Sequence, residues 1–246
     1  MNEVLDQLYE RKSVRVFTEQ EISLREKEAI LRAACEAPTA GNQQLYTVID
    51  VTDDALKQAL VQTCDGQPMI AQAKMVLIFC ADCKKWYDAY AACGCEPRSP
   101  GAGDFLLAVS DANIAAQNAV VAAQSLGIGS CYIGDIMENC EKQRELLKLE
   151  RYVFPAAMLV FGYPTEQQKN REKPARVDMA HIVHENGYRT MGANELCEMW
   201  TPRCGARPYE EWMRAFCKRK YDSDFSREMT RSVEAYLDDF GMMPKR

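Results

Sequence analysis

The chain has 246 residues, 47% of them hydrophobic and 27% charged, so it is long enough for one sizeable core or for one core with an appendage. A formal net charge of −6 excludes the basic footprint of a nucleic-acid-binding protein, and no apolar run is expected to reach the roughly 20 residues that span a bilayer. The polar N-terminus does not resemble a signal peptide, and 11 cysteines, an odd number, predict reduced thiols in a cytoplasmic protein.

The first predicted helix ends in a dense group of cations. Valine and leucine give this helix an apolar side, and the sequence RKSVR follows at residues 11–15. Cations suit the negative C-terminal end of a helix, but a guanidinium also pairs with phosphate through two parallel hydrogen bonds. Both interpretations stay open at this point. An S-x-x-E capping box at 23–26 then predicts a second helix, which ends before Pro38.

A loop rich in carboxamides follows the second helix. The sequence PTAGNQQ at 38–44 combines one hydroxyl and three carboxamides with a rigid proline and a flexible glycine. Such residues are ordinary in a turn between a helix and a strand. Carboxamides also both donate and accept hydrogen bonds, which matches the mixed edge of a flavin's pyrimidine ring or of a base. A strand is predicted at 45–51 and an amphipathic helix at 53–62.

The middle of the chain contains a buried strand and an irregular stretch. The continuous apolar run at 75–80 predicts a fully buried strand. Residues 81–109 carry aromatic residues first and prolines and glycines after them, and we expect no regular structure there. An excursion over the mouth of a pocket and an uninvolved surface loop are equally compatible with this composition.

The stretch from Ser110 to Gly134 is predicted to organise the fold. Ser110 would cap a helix that Gly127 ends, and this helix is apolar on nearly every side, as a buried core helix is. Its polar residues form one stripe: Asn113, Gln117 and Gln124. A short strand at 130–133 ends at Gly134, where glycine would let a ligand approach backbone N–H groups. A simple core element and a backbone edge for a planar ligand both fit this pattern.

A helix beginning near Asn139 and a buried strand at 156–161 complete the predicted core. The loop after them is ordinarily a solvated one and carries four cations: Lys169, Arg171, Lys173 and Arg176. The two histidines of the HIVH sequence have a spacing that suits a metal, but packing or surface roles are favoured because no third ligand cluster is near. Helices at 209–220 and 226–240 are predicted to form a C-terminal appendage.

The chemistry-bearing motifs of many enzymes are missing. The sequence lacks G-x-S-x-G, P-loop and H-E-x-x-H patterns, and two histidines leave little material for Ser/His or Cys/His catalysis. Four thiols could hold zinc or an iron–sulfur cluster, although their spacing fits no common cluster: Cys80, Cys83, Cys93 and Cys95. What remains is a set of binding groups without an acid, base or nucleophile, as in proteins whose chemistry belongs to a cofactor. A phosphate grip, a carboxamide clamp and a glycine-edged backbone strip together describe bound FMN.

Four sequence blocks, in this order, resemble the nitroreductase family of FMN-dependent oxidoreductases. They are RKSVRVF at 11–17, APTAGNQQ at 37–44, AQNAVVAAQSLGIGSCYIG at 116–134 and FGYP at 161–164. The resemblance implies an α+β fold with a mixed, mainly antiparallel sheet flanked by helices around a long central helix. It covers an FMN-binding domain at residues 1–187, and residues 188–246 would be a C-terminal helical extension. It also implies an intertwined homodimer with two FMN sites at the subunit interface.

The resemblance also implies which residues hold FMN. The residues that would bind the phosphate and the ribityl chain are Arg11, Lys12 and Ser13. Gln67 would contact the ribityl chain, and Lys173 and Arg176 would also bind the phosphate. Those around the ring are Arg15 near N1 and O2, the backbone of Ile133 and Gly134 at the N5/O4 edge, and Pro38, Thr39, Asn42 and Gln44 from the other subunit. Thr39 replaces the serine that is commoner in the family and keeps its hydroxyl.

The family's activity implies that the flavin carries the reaction and that no side chain is a catalytic acid or base. NADH or NADPH would pass hydride to N5 and leave, after which a nitroaromatic, quinone or related acceptor would take its place in a ping-pong cycle. Arg15 would act as an electrostatic stabiliser of the negative charge near N1. Two alternatives stay open, a flavin-binding or sensing module without turnover and a metal–thiolate protein. No metal ligands are assigned, and the sequence selects neither the acceptor nor the nicotinamide.

Overall fold

A four-stranded antiparallel sheet forms the centre of the fold. The structure, a computed structural model, describes residues 2–241. Within that range the strand order is β1-β2-β4-β3, and the strands are β1 (Tyr46–Asp50), β2 (Met75–Asp82), β3 (Gly129–Ile133) and β4 (Val153–Gly162). All three strand pairs are antiparallel, and Ser13 adds one parallel bridge to Ser130 at the β3 edge. The predicted mainly antiparallel sheet is therefore confirmed, and this bridge is the one parallel pairing among the described residues.

The described residues also form eleven α-helices. In the first half of the chain they are α1 (Glu3–Glu10), α2 (Leu24–Cys35), α3 (Asp54–Thr63), α4 (Met69–Gln72), α5 (Lys84–Ala92) and α6 (Ala102–Ser125). In the second half they are α7 (Cys140–Leu147), α8 (Glu166–Asn170), α9 (Ala193–Trp200), α10 (Tyr209–Lys220) and α11 (Asp224–Leu237). The predicted capping box at 23–26 is present, with both of its reciprocal hydrogen bonds, and begins α2.

The sheet separates two hydrophobic clusters, because successive side chains of a strand point to opposite faces. On one face Leu77 and Phe79 belong to the cluster that contains the buried side of α6. On the other face Val76 and Ile78 pack in a cluster with Leu60 of α3. All five side chains are inaccessible to solvent. Burying one such side chain contributes roughly 1.5–3 kcal/mol, so β2 anchors both layers of the fold.

The central helix α6 begins well before the predicted cap at Ser110. Its first residue is Ala102, because the Asp104 carboxylate accepts the Gly101 N–H at 2.8 Å and satisfies one of the free donors of the first turn. The Ser110 hydroxyl donates to a carbonyl one turn earlier within the helix. The prediction that residues 81–109 lack regular structure is therefore wrong in part, since all of α5 and the first turns of α6 fall within them.

Helix α6 is buried on one side only. Its buried alanines share that side: Ala108, Ala112, Ala115, Ala116, Ala119 and Ala123. Leu106, Leu107 and Ile114 are exposed, so the expectation of a helix enclosed by the core is wrong. Contrary to the sequence expectation, this helix is long and apolar enough to cross a membrane by length and composition, and 44% of the qualifying window is buried inside the protein.

The chain divides into two compact units. Among the described residues, one contains those up to Arg171 together with 228–241, and the other is Glu172–Arg227. These limits differ from the boundary expected at 187/188, because the C-terminal part of α11 belongs to the larger unit. The assignment of residues 1–187 to an FMN-binding domain and of 188–246 to an extension stays a prediction.

The end of α11 and the 3₁₀ turn that follows it, Asp238–Phe240, complete the core of the larger unit. Tyr236 and Phe240 are 1% and 5% exposed. The Tyr236 ring meets Phe154 edge-on at 5.1 Å between centroids, and Phe240 meets Phe105 at 5.0 Å. The Arg144 guanidinium lies 4.8 Å from the centre of the Tyr236 ring. This part of the predicted appendage is thus core structure, because its aromatic residues fill the space at one end of the α6 cluster.

Candidate cofactor site

The cationic segment at 11–15 lies along the β3 edge of the sheet. Ser13 forms the parallel bridge with Ser130, and the Val14 N–H donates to the Ser130 carbonyl at 2.9 Å. The Val14 side chain covers Gly129 so closely that a Cβ on that glycine would come within 2.6 Å of it. The close approach of the two backbones therefore requires glycine at this position.

Residues around α8 hold the same segment from another side. The Lys12 ammonium donates to the Lys169 carbonyl at 2.6 Å and to the Arg171 carbonyl. The Arg171 guanidinium donates to the Ser13 carbonyl at 2.5 Å. The buried Gln168 accepts the last backbone N–H of the segment at 3.2 Å. These bonds join positions 153 to 159 residues apart, so tertiary contacts fix the segment's backbone without help from a ligand.

The side chains of the segment have the chemistry of an anion site. Arg11 and Arg15 are close enough to Cys131 to oppose the rise in that thiol's pKa that burial causes. The Nε–H of Arg11 is buried and has no hydrogen-bond partner within the described residues. A buried donor without an acceptor costs roughly 1–3 kcal/mol, which a bound acceptor would remove. The donors of this segment therefore fit the phosphate oxygens of FMN.

The carboxamide loop at 38–44 has a folded and partly strained backbone. Gly41, Asn42 and Gln44 all have left-handed φ angles of 56°, 57° and 51°. The Thr39 hydroxyl accepts the Gln44 N–H at 2.7 Å, and the Trp86 indole N–H donates to the Gln43 carbonyl at 2.7 Å. The carboxamide-bearing Asn42 and Gln44 are exposed, as is Pro38, so three of the four residues predicted to line the ring face solvent in the isolated chain.

The end of β3 leads into a short turn that Gln67 contacts. Ile133 is buried, whereas Gly134 is exposed and begins a short 3₁₀ turn that runs to Met137. The Gln67 carboxamide donates to the Asp135 carboxylate of that turn at 2.8 Å. The structure therefore brings Gln67 to the Gly134 region, where one of its donors supports the turn.

A cavity of about 370 Å³ opens beside the carboxamide loop. Its walls include three aromatic side chains of α5, namely Trp86, Tyr87 and Tyr90, and also Gln43 of the loop. Pro97 and Pro100 of the following segment complete part of the lining. Of the two interpretations of residues 81–109, the structure favours the excursion beside a pocket.

Other predicted residues lie elsewhere or have other surroundings. Lys173 and Arg176 belong to the smaller unit, in a stretch without regular structure. Burial raises the pKa of the Cys80 and Cys83 thiols to about 12, which disfavours the thiolate that metals bind, and no group of three or more His, Cys, Asp or Glu residues within 2–241 is arranged to hold a metal ion.

The family model described as the Nitroreductase family matches residues 8–163, which include the cationic segment, the carboxamide loop and the end of β3. The chain belongs to the nitroreductase family. The resemblance seen in the four sequence blocks is thereby confirmed. The match ends before Lys173 and Arg176, so these two assignments lie outside it and stay predictions.

Relatives and solved structures of this family cover nearly the whole chain. An oxygen-insensitive NADPH nitroreductase of Salmonella typhimurium is 35% identical over 192 residues, which are 78% of this chain and 77% of that protein. An FMN reductase [NAD(P)H] of Bacillus subtilis is 30% identical over 245 residues, 97% of this chain and 92% of that one. The structure of B. megaterium NfrA2 covers 100% of both chains with a TM-score of 0.82 and 29% identity. The predicted α+β fold is confirmed.

In this nitroreductase-family chain, Gly129→Ala is expected to displace the cationic segment. The added Cβ would overlap the Val14 side chain, so we expect a loss of about 1–3 kcal/mol in the free energy of unfolding and weaker FMN binding. Urea unfolding and a fluorescence titration with FMN measure the two effects. Gly103→Ala is the matched control, because apart from its chain neighbours and the adjacent backbone of α6 no atom lies within 4 Å of its Cβ position. Equal behaviour of the two variants would contradict the prediction.

Proposed function

We propose that this protein is an FMN-dependent oxidoreductase that uses NADH or NADPH to reduce nitroaromatics, quinones or related acceptors. We further propose that it works as a cytoplasmic homodimer with FMN at the subunit interface. The family assignment and the names of relatives, an NADPH nitroreductase and an FMN reductase [NAD(P)H], support flavin-dependent oxidoreduction. The acceptor class, the dimer and the cellular location are our proposals.

One observation carries the proposal for the cofactor. The cationic segment is fixed by tertiary contacts on two sides, and yet its Arg11 Nε–H is buried without a partner. Arg11 and Ser13 would hold the phosphate and ribityl chain. The Lys12 ammonium donates to two carbonyls, and its third N–H would bind the phosphate. Gln67, Lys173 and Arg176 are retained as further contacts on the basis of family resemblance.

Around the ring, the residues would bind and orient rather than exchange protons. When bound, FMN supplies hydride chemistry at N5, so that NAD(P)H and the acceptor can use one site in turn by a ping-pong mechanism. The N–H of Gly134 and the buried Ile133 would fix the position of the N5/O4 edge. The carboxamide loop of the second subunit would line the ring with Pro38, Thr39, Asn42 and Gln44.

The exposed apolar residues of two helices support the homodimer. Leu106, Leu107 and Ile114 lie on the solvent side of α6, and Val4 and Leu8 are exposed on α1. Apolar side chains clustered on a helix are commonly buried by association, and an obligate interface would remove them from water. The loop at 38–44 would then reach the cofactor of the other subunit, which its exposed carboxamides permit.

The visible spectrum of the protein as purified tests the proposal. We expect a yellow protein that bleaches when NADH or NADPH is added under anaerobic conditions and recovers its colour when an acceptor is added. Flavin colour without bleaching by either nicotinamide would instead indicate a binding or sensing module. Stoichiometric zinc or iron without flavin would indicate the metal–thiolate alternative and would overturn the proposal.

Arg15→Ala is expected to lower the flavin's reduction potential while leaving FMN bound. The Gln168 side chain accepts the Arg15 backbone N–H, and the exposed Arg15 guanidinium would face the negative charge near N1 and O2. Loss of a charged hydrogen bond of about 1.5–3 kcal/mol corresponds to a fall of roughly 30–60 mV for a two-electron couple. Spectroelectrochemistry measures the reduction potential. Arg15→Lys keeps the positive charge, so its potential should fall less than that of Arg15→Ala. Bound flavin with an unchanged potential would remove this role from Arg15.

A further inference from the structure

A buried carboxylate on the central helix connects both ends of the carboxamide loop. Asp111 of α6 is 2% exposed. One of its oxygens accepts the Ala40 N–H at 3.0 Å. The other accepts the Thr39 hydroxyl and the Leu45 N–H, the latter at 3.1 Å. All three donors come from residues 39–45, so this single carboxylate closes the loop onto α6.

These bonds are needed because the loop backbone is strained. Asn42 and Gln44 hold left-handed conformations that residues other than glycine rarely adopt, and such conformations persist only where the surroundings over-determine them. Asp111 fixes the loop before and after those two residues. The Thr39 hydroxyl extends the network, since it donates to Asp111 and accepts the Gln44 N–H.

We propose that Asp111 is a positioning residue for the flavin, which it never touches, and this inference rests on the proposed FMN-dependent function. Asp111 holds residues 39–45 in their binding conformation before FMN binds. The conformational entropy of ordering this loop is therefore not lost on binding, and the affinity for FMN is higher. The same network gives the Thr39 hydroxyl a different task from the predicted one. Its hydrogen is donated to Asp111 of α6 and one of its lone pairs accepts the Gln44 N–H, so the hydroxyl shapes the loop.

The proposed role of Asp111 requires a side chain that offers only hydrogen-bond acceptors, and not merely one of the same shape. A carboxylate offers only acceptors, which matches three converging donors. The carboxamide of an asparagine would turn an N–H₂ group toward either the Ala40 N–H or the Leu45 N–H. One buried donor would then face another donor and stay unsatisfied. Asp111→Asn should therefore resemble Asp111→Ala more than wild type, although it is nearly isosteric.

The test compares two buried carboxylates of the same kind. Asp82 is also buried and also accepts one threonine hydroxyl, that of Thr47 at 2.6 Å, and two backbone N–H groups, at 3.0 and 3.2 Å. Asp82→Ala thus removes an equivalent network at a different turn. The dissociation constant for FMN is measured by flavin fluorescence on each purified protein after its flavin has been removed, together with its Tm. The near-ultraviolet and visible CD spectrum of the bound flavin is a second readout.

We expect Asp111→Ala and Asp111→Asn to weaken FMN binding by about 10- to 100-fold and to change the flavin CD spectrum. Asp82→Ala should lower the Tm but leave the FMN dissociation constant within about threefold of wild type. If the Asp111 variants do not fold, Thr39→Val and Thr39→Ser replace them, because only serine keeps the hydroxyl and should rescue binding. The inference would be overturned if the Asp82 and Asp111 variants changed the FMN dissociation constant equally. It would also be overturned if Thr39→Val and Thr39→Ser bound FMN equally well. Failure of the wild-type protein to bind FMN would overturn the proposed function itself.

Discussion

Tyr236→Ala is expected to lower the free energy of unfolding by about 3–5 kcal/mol, the usual cost of deleting a large buried aromatic side chain. The ring is 1% exposed and packs edge-on against Phe154, while the Arg144 guanidinium lies over its face. The variant would leave a cavity between the end of α11 and β4. It would also remove the cation–π contact, which is stronger in a desolvated setting. Urea unfolding followed by far-ultraviolet CD measures the loss.

Tyr221→Ala is the matched control for this prediction. The Tyr221 side chain is 79% exposed, so its removal should change the free energy of unfolding by no more than about 0.5 kcal/mol. The difference between the two tyrosines isolates the docking of α11 from the general effect of losing an aromatic ring. Losses of equal size would mean that the end of α11 does not belong to the folded core.

Glu138→Gln is expected to stabilise the protein by about 1–3 kcal/mol at pH 8 and to change its stability little at pH 5. Glu138 is buried, and its Oε1 has no hydrogen-bond partner within the described residues. Burial, with the negative charges of Asp135, Asp65 and Glu228, raises the pKa of its carboxyl from 4.5 to about 7. The folded state therefore disfavours the ionised form.

The direction of the pH dependence follows from that rise. A group whose pKa is higher in the folded state contributes stability that is complete below its unfolded pKa of 4.5 and is lost as the pH rises to about 7. Glutamine cannot ionise, so this contribution to the free energy of unfolding should not change with pH in the variant, whereas in the wild type it declines between pH 4.5 and about 7. Unfolding curves at pH 5, 6, 7 and 8 measure the difference. Glu145→Gln, at an exposed position of α7, should reproduce the wild-type pH profile, and a parallel profile for Glu138→Gln would contradict the prediction.

Local sequence patterns were sufficient to predict those helices and strands whose limits depend on local interactions. The apolar run at 75–80 predicted most of β2, and α10 has the predicted limits, Tyr209–Lys220. Asn139 was placed correctly before a helix, but its backbone is left-handed and its carboxamide donates to the Thr63 carbonyl instead of capping α7. The start of α6 was misplaced because Ser110 is a good cap by type, whereas the cap that forms depends on Asp104.

The candidate site shows the same limit. Its cations, carboxamides and glycines could be proposed in advance because their residue types and spacing carry the chemistry. Gln168 and Asp111 could not, because they act through hydrogen bonds with distant donors. The donor to Gln168 lies 153 residues away, and the donors to Asp111 lie 66 to 72 residues away. A polar residue in a charged loop or in an apolar helix gives no local sign of such a partner. Pairing over that distance is a property of the tertiary fold.

The position of the cationic segment also affects how the protein avoids aggregation. β3 is the last strand on its side of the sheet, and an open strand edge offers free N–H and C=O groups to any other extended chain. Val14 occupies one of those groups, and the neighbouring Lys12 and Arg15 add charge beside it. Natural sheets often protect an edge with basic side chains of this sort. These charged residues beside the β3 edge therefore also discourage edge-to-edge self-association of the sheet.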